Sequence, residues 1–399
     1  MRTSLAASVG GLLAIWGFQG LVAHAHAHAQ SPLQARLDGH DASDAASLCS
    51  RDFLGARAGL NASEASKAAI ESMNKSFYNK TAGRWTVTDA WWLSGVALQD
   101  LLEYMYRTGS RDYLHQAKHI IEKQKEPLPW WPEGDGYFRA DSTDDTGWWA
   151  LAMIRMFDIT KDQQYLNISI LDEAYMYSYW TNTNCGGGMY VDIRAETYKN
   201  AIANELYMKL AASLHNRIPG DTEYLAKAET AYNWFMASGM INGDNLINDG
   251  LAENSAGVCY NNALPIWTYN QGVVLGASVE LYIATQNQSY VVEARKIADA
   301  VLSSGAMTQD GVLTEPCEAA DTCNNDQQIF KGIFAYNLAE LNSVLSDSPY
   351  TAYLTQNAQT AWSSDRNSKD LYDVSWAGPF RNSTIAKQAS AVGLLVSLL

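Results

Sequence analysis

Thr-Gly-Ser-Arg-Asp-Tyr-Leu, residues 108–114, is a short polar turn that delivers an aromatic side chain into the start of a helix, and it recurs. The pattern returns as Thr-Lys-Asp-Gln-Gln-Tyr-Leu (160–166), Pro-Gly-Asp-Thr-Glu-Tyr-Leu (219–225) and Thr-Gln-Asn-Gln-Ser-Tyr-Val (285–291). A fifth copy, Ser-Asp-Ser-Pro-Tyr (346–350), runs on to Tyr353-Leu354. Tyr113, Tyr165, Tyr224, Tyr290 and Tyr353 lie 52, 59, 66 and 63 residues apart, the spacing of helical hairpins carrying long insertions.

Apolar residues on both sides of each turn follow the helical period, as in Trp92, Val96, Leu98, Leu101, Leu102 and Tyr106 before the first. The pattern predicts twelve helices, near 63–77, 90–108, 111–124, 146–158, 162–180, 198–216, 221–238, 271–286, 289–305, 327–346, 349–363 and 385–398. Strand signals alternating with helices are missing, so the expected fold is all-α: six hairpins closed into a toroid. The connections containing the repeated turn are short. Those near 125–145, 181–197, 239–270, 306–326 and 364–384 are long and gather at one end, where a functional site is expected.

The first residues, Met1-Arg2-Thr3-Ser4, an apolar run from Leu5 to Val22 and Ala-His-Ala-His-Ala-His-Ala (23–29), form a secretory signal cleaved before Gln30. The run is short for a membrane anchor and ends in small residues. The expected organisation is a signal peptide at 1–29, an extension at 30–60 and a single catalytic domain at 61–399, with no Pro/Ser-rich linker to divide it. Export agrees with six Asn-x-Ser/Thr acceptors, Asn61, Asn74, Asn79, Asn167, Asn287 and Asn382. Five cysteines agree too: Cys317 and Cys323 close a short polar loop, Cys185 and Cys259 lie in Gly/Asn-rich segments and could pair, and Cys49 is left odd. With 28 basic against 43 acidic residues the net charge is −15, which makes nucleic acid and anionic membranes poor partners and a neutral polymer a better one. A secreted monomer without cofactor or stable membrane insertion is expected.

Three clusters carry candidate chemistry, each where a long loop becomes an inner helix. The first is Asp141-Ser-Thr-Asp144-Asp145-Thr-Gly-Trp148-Trp149. Glycoside cleavage needs one carboxyl group to protonate the leaving oxygen and a second to attack or to activate water, and adjacency favours the closer, retaining arrangement. The competing reading is a helix cap, for which one aspartate is enough. The second is Cys185-Gly-Gly187-Gly188-Met-Tyr190, followed by Tyr198-Lys-Asn200, where glycines let backbone approach a ligand or simply loosen a loop. The third is Trp267-Thr-Tyr269-Asn270-Gln271, amides and aromatics that suit sugar hydroxyls and pyranose faces, or a cap and a core tryptophan. Trp91 and Trp148 join the candidate sugar contacts from the tryptophan-rich first third. His115 and His119, spaced i, i+4 on an outer helix, lack a partner acid and read as surface, so no metal is expected.

At Asp144-Asp145-Thr-Gly-Trp-Trp-Ala-Leu-Ala, Cys-Gly-Gly-Gly, Tyr198-Lys-Asn-Ala-Ile-Ala-Asn-Glu-Leu and Trp-Thr-Tyr-Asn-Gln-Gly-Val-Val-Leu-Gly the chain resembles glycoside hydrolase family 76, in order from about residue 60 to the C-terminus. The resemblance implies an (α/α)6 barrel and retaining, endo-acting hydrolysis of α-1,6-mannosidic linkages in mannan, with Asp144 as nucleophile and Asp145 as acid/base. Fungal relatives include cell-wall transglycosidases acting on mannose-containing glycolipid anchors, so transfer to a sugar acceptor is one alternative and a non-catalytic carbohydrate-binding protein is another. Two departures stand out. The final apolar run, Ala391 to Leu399, reads as a last helix and not as a lipid-attachment tail, and the glycine loop ends in Met189-Tyr190 where a tryptophan would be expected.

Overall fold

The structure is a computed structural model that describes residues 59–85 and 90–399. The signal segment, the extension up to residue 58 and Cys49 lie outside the described residues. Twelve α-helices occur among those described: α1 (Ala62–Phe77), α2 (Trp92–Thr108), α3 (Leu114–Gln124), α4 (Thr143–Thr160), α5 (Gln163–Tyr177), α6 (Ala201–Arg217), α7 (Glu223–Ala237), α8 (Thr268–Thr285), α9 (Gln288–Ser303), α10 (Phe330–Val344), α11 (Thr351–Thr360) and α12 (Ile385–Val396).

The repeated turn works by a common local mechanism. Each of α2, α4 and α8 ends in a threonine followed by a left-handed residue, Gly109, Lys161 or Gln286, which turns the chain out of the helix. In two of these turns the following residue caps the next helix: Asp162 accepts from the Gln164 amide and Asn287 from the Ser289 amide.

The even-numbered helices α2, α4, α6, α8, α10 and α12 each pack on the next, and α12 returns to α2, so the inner ring is closed. This gives the all-α barrel expected from the hairpin count. Inner helices are buried nearly all round, every residue from Ala201 to Leu214 in α6 for instance. Outer helices bury one stripe, as in Tyr290, Val291, Ala294, Ile297, Ala298 and Val301 of α9. Close approach in the ring is secured between α10 and α12 by Gly332, where an added Cβ would lie 2.5 Å from the Ser390 carbonyl oxygen.

There are three short hairpins among the described residues: β1 (Tyr78–Asn79) with β2 (Arg84–Trp85) between α1 and α2, and, in the long connections, β3 (Leu251–Glu253) with β4 (Cys259–Asn261) and β5 (Thr308–Gln309) with β6 (Val312–Leu313). Both expected disulfides form, Cys185–Cys259 and Cys317–Cys323. Five of the acceptor asparagines are exposed, but Asn74 is not free. Its amide exchanges hydrogen bonds with Gln116 and accepts from Trp85 Nε1 at 3.1 Å, tying α1 to α3, so a glycan there would break a tertiary contact.

At the short-turn end the ring is plugged by ion pairs. Arg155 reaches Glu103 at 2.6 Å, Asp158 at 3.2 Å and Glu340 at 3.4 Å, Lys209 holds Glu340 at 2.6 Å, and Arg217 joins Asp158 to Glu280. A bowl of about 580 Å³ opens over this network.

Candidate active site

The opposite end of the barrel collects the N-termini of the inner helices. Ser142 precedes α4 in extended conformation, and the helix begins at Thr143, three residues earlier than its apolar period suggests. Asp144 and Asp145 therefore sit inside the first turn. The segment after the glycine loop holds this start in place: the Thr143 amide donates to the Val191 carbonyl at 3.0 Å and its hydroxyl to that of Tyr190 at 2.9 Å. Met189 is in turn clamped by the buried Asn204 amide.

Asp144 and Asp145 line a cavity of about 350 Å³ with Trp92, Ser142, Trp148, Val191, Trp267, Tyr269, Asn324, Asp326, Gln327 and Phe330. Two aromatic walls face it. Trp92 stacks on Trp148 with centroids 5.5 Å apart, and Tyr269 lies flat on Phe330 at 3.8 Å with Trp267 edge-on to the same ring. Indole and phenyl faces of this kind suit the apolar face of a pyranose.

The capping reading accounts for half of the pair. Asp144 Oδ1 accepts the Asp145 amide at 3.0 Å, as a first-turn acceptor should, whereas no backbone donor among the described residues reaches the Asp145 carboxyl. Burial pushes the Asp144 carboxyl up to about 6, against the lowering effect of hydrogen bonds from Ser142 and the backbone. Burial and then the neighbouring Asp144 charge push Asp145 well above the ordinary carboxylate range. Two titratable groups driven apart in this way are suited to opposite roles at one pH.

The remaining candidates divide. Trp148 and Trp267 reach the cavity. Trp91 does not: it is buried, stacked on Trp149 at 4.9 Å, and donates to Gln124. Its neighbour Trp92, 100° further round the helix, is the cavity residue. Gly187 and Gly188 sit under Trp234, where added Cβ atoms would lie 2.4 and 2.3 Å from the ring, so the glycines admit an indole. Asn200 caps α6 through the Ala203 amide. Gln271 is consumed by the backbone of Ile247 and Trp267. Tyr198 donates to Asp249 and accepts from Asn262, in the loop wall. Asn270 is fully buried, neither of its amide atoms is paired among the described residues, and it does not line the cavity. His119 bonds the Lys80 carbonyl, and no group of acidic, His or Cys side chains among the described residues is arranged to hold a metal.

Tyr269, part of the third cluster, reaches the cavity, whereas Trp92, Phe330 and Asp326 are cavity residues that the sequence reading did not select. Asp326 lies in the long connection before α10, the same place in the repeat as the three clusters that were selected, and that position is the signal that could have found it.

A carboxyl pair with divergent proton affinities, set between aromatic walls at one end of a helical barrel, is an arrangement suited to glycoside hydrolysis. The chain belongs to glycosyl hydrolase family 76, whose family model matches residues 60–399. It is 25% identical over 347 residues to a putative mannan endo-1,6-alpha-mannosidase of Schizosaccharomyces pombe, covering 81% of this chain and 76% of that protein. It is 28% identical over 293 residues to the mannan endo-1,6-alpha-mannosidase DFG5 of Saccharomyces cerevisiae, covering 69% of this chain but only 61% of that one. The fold is similar to that of an alpha-1,6-mannanase from Salegentibacter, with a TM-score of 0.75, 24% identity and coverage of 85% of this chain and 99% of the other. An inactive variant of that mannanase, with two consecutive aspartates replaced by asparagine, is complexed with alpha-1,6-mannotriose. The fold is also similar to Dfg5 from Chaetomium thermophilum in complex with glucosamine, with a TM-score of 0.73, 20% identity and coverage of 84% and 90%.

Proposed function

We propose that this enzyme is a secreted endo-acting hydrolase of α-1,6-mannan that retains anomeric configuration, with Asp144 as nucleophile and Asp145 as acid/base. The observation that carries the reading is the unequal treatment of two neighbouring carboxyls in one aromatic-walled cavity. Asp144 is the better anion, because it accepts a first-turn amide and lies at the positive end of α4. Asp145 keeps its proton beside that charge and can give it to the leaving glycosidic oxygen. Attack by Asp144 on the anomeric carbon then forms a glycosyl ester, and Asp145, now ionised, deprotonates the water that cleaves it. The relatives named as mannan endo-1,6-alpha-mannosidases support the substrate, and the inactive double-aspartate variant holding mannotriose supports the pair. The two disulfides and the exposed acceptor asparagines support export.

The test is digestion of linear α-1,6-mannan by the enzyme and by Asp144→Asn, with products sized and their anomeric configuration followed. Short α-configured oligosaccharides from wild type alone are expected. Release of β-configured products would overturn retention, equal activity of the variant would overturn the nucleophile, and products longer than the substrate would mean transfer to sugar acceptors.

A further inference from the structure

The cavity holds a third carboxylate. Asp326 Oδ1 accepts the Trp92 indole N–H at 3.1 Å, and among the described residues no donor reaches its other oxygen, although the side chain lies in the cavity wall. Trp92 is at the same time half of the Trp92–Trp148 stack, so the carboxylate and the aromatic face are fixed to one another. The segment presenting Asp326 is rigid in its own right. The Asn324 amide donates to Gln327 Oε1 and the Gln327 amide to Asn324 Oδ1, a reciprocal pair, while Gln328 bonds the Cys323 carbonyl beside the Cys317–Cys323 bridge.

An acceptor role toward Trp92 would be met equally well by asparagine, so it does not explain a charge here. A half-buried carboxylate with unused acceptor capacity calls for donors, and among the described residues only burial and the Trp92 indole act on Asp326, with no cation paired to it. Sugar hydroxyls are donors of the right kind.

We propose that Asp326 is a substrate-binding carboxylate, whose free oxygen accepts a hydroxyl of the sugar ring lying against the Trp92–Trp148 stack beside Asp144 and Asp145. The proposal rests on the mannan-cleaving reading. A hydroxyl bonded to a charged acceptor in both ground and transition states contributes to KM more than to kcat. The same charge helps both aspartates keep their protons, so its removal moves their titration to lower pH.

The experiment compares wild type, Asp326→Asn and Asp326→Ala on linear α-1,6-mannan over a range of pH, with unfolding curves to verify folding. Asparagine keeps the Trp92 acceptor and the shape, so Asp326→Asn remains informative if the alanine variant is unstable. The expected result is a rise in KM of about 10- to 100-fold, the range for a hydrogen bond to a charged group, with kcat changed by less than about threefold and the basic limb of kcat/KM displaced to lower pH. A kcat/KM within about threefold of wild type and an unmoved pH profile for Asp326→Asn would overturn it. Wild-type turnover tests the mannan reading independently. Should that turnover be absent, calorimetry with α-1,6-mannotriose decides: binding by wild type and at least tenfold weaker binding by Asp326→Asn sustains the role of Asp326, whereas equal binding or none overturns it.

Discussion

Replacing Gly188 by alanine separates two meanings of the glycine loop. If the glycines exist to admit Trp234, the substitution destabilises the protein; if they exist to admit a sugar, it weakens binding. Gly188 has φ of 91°, and its new Cβ would stand 2.3 Å from both Cη2 and Cζ2 of Trp234. The positive φ costs about 1–2 kcal/mol for an alanine. Displacing the ring adds about 1–3 kcal/mol of strained packing, and loss of the Trp234 Nε1 hydrogen bond to the Cys185 carbonyl at 2.9 Å adds about 0.5–1.5 kcal/mol. A total of about 3–6 kcal/mol, divided by an unfolding entropy of about 0.7 kcal/mol/K for roughly 340 residues, lowers Tm by about 4–9 °C. The assay is thermal unfolding beside kcat/KM on mannan at 25 °C, which should stay within about threefold because Asn204 clamps Met189 between the glycines and the Asp pair. In a Trp234→Ala background the cost of Gly188→Ala should shrink to its backbone part. A Tm within 1 °C of wild type combined with a large rise in KM would refute the packing argument and return the loop to the sugar.

The rate on mannan should fall below pH about 6, as Asp144 gains the proton that disables a nucleophile; a rate that stays flat from pH 4 to 7 would contradict that assignment. Arg155→Met strips the central cation from Glu103, Asp158 and Glu340 and should cost about 3–5 kcal/mol of stability, seen as a lower Tm with cleavage at 25 °C preserved. Glu315, buried beneath Thr268 at the start of α8, is pushed up to about 8 by that burial. A carboxyl whose folded value is raised adds stability that is complete below its unfolded value near 4.5 and is lost as pH rises through 8, so Tm should drop between pH 5 and 9 and Glu315→Gln should flatten the drop; an equally steep drop in the variant would show that other groups cause it.

The ring of helices was legible because inner and outer helices advertise themselves differently. The polar turn before an aromatic recurs every 52 to 66 residues, inner helices are buried nearly all round and outer helices carry one apolar stripe. The Asp pair was legible because a second carboxyl has no role in capping. Individual sugar contacts were far less so, for a reason visible in Asn200 and Gln271. Long loops hold many backbone groups that the helices cannot satisfy, and nearby amide side chains are drawn into that task. The Asn200 side-chain oxygen went to the Ala203 amide, and both amide atoms of Gln271 went to the backbone of Ile247 and Trp267. Between Trp91 and Trp92 the sequence offers two identical residues on adjacent faces, and only the position of the ring axis decides which meets the cavity. Asp326 stands alone between Asn325 and Gln327, so no pair of acids marks it in the sequence.

The two ends of the barrel treat charge in opposite ways, and the difference locates the chemistry. At the short-turn end Glu103, Asp158, Glu280 and Glu340 each have a cation within reach, and Glu103 and Glu280 are held below the usual glutamate range by Arg155 and Arg217 despite burial. That end is electrostatically closed, and a ligand entering the bowl above it would have to compete with established pairs. At the long-loop end Asp144, Asp145 and Asp326 face one cavity, and the charges acting on the pair are those of other acids. Burial without compensation is costly, and it is not confined to the cavity. Among the described residues Asp100, Asp172 and Glu205 are also buried without a hydrogen-bonded cation. What sets Asp144, Asp145 and Asp326 apart is that they share one open cavity. Introducing a lysine at Gln327, on the cavity wall beside Asp326, would supply the missing cation. The same reasoning requires that it lower the proton affinity of Asp145 and so impair protonation of the leaving oxygen, even though no catalytic atom has been touched.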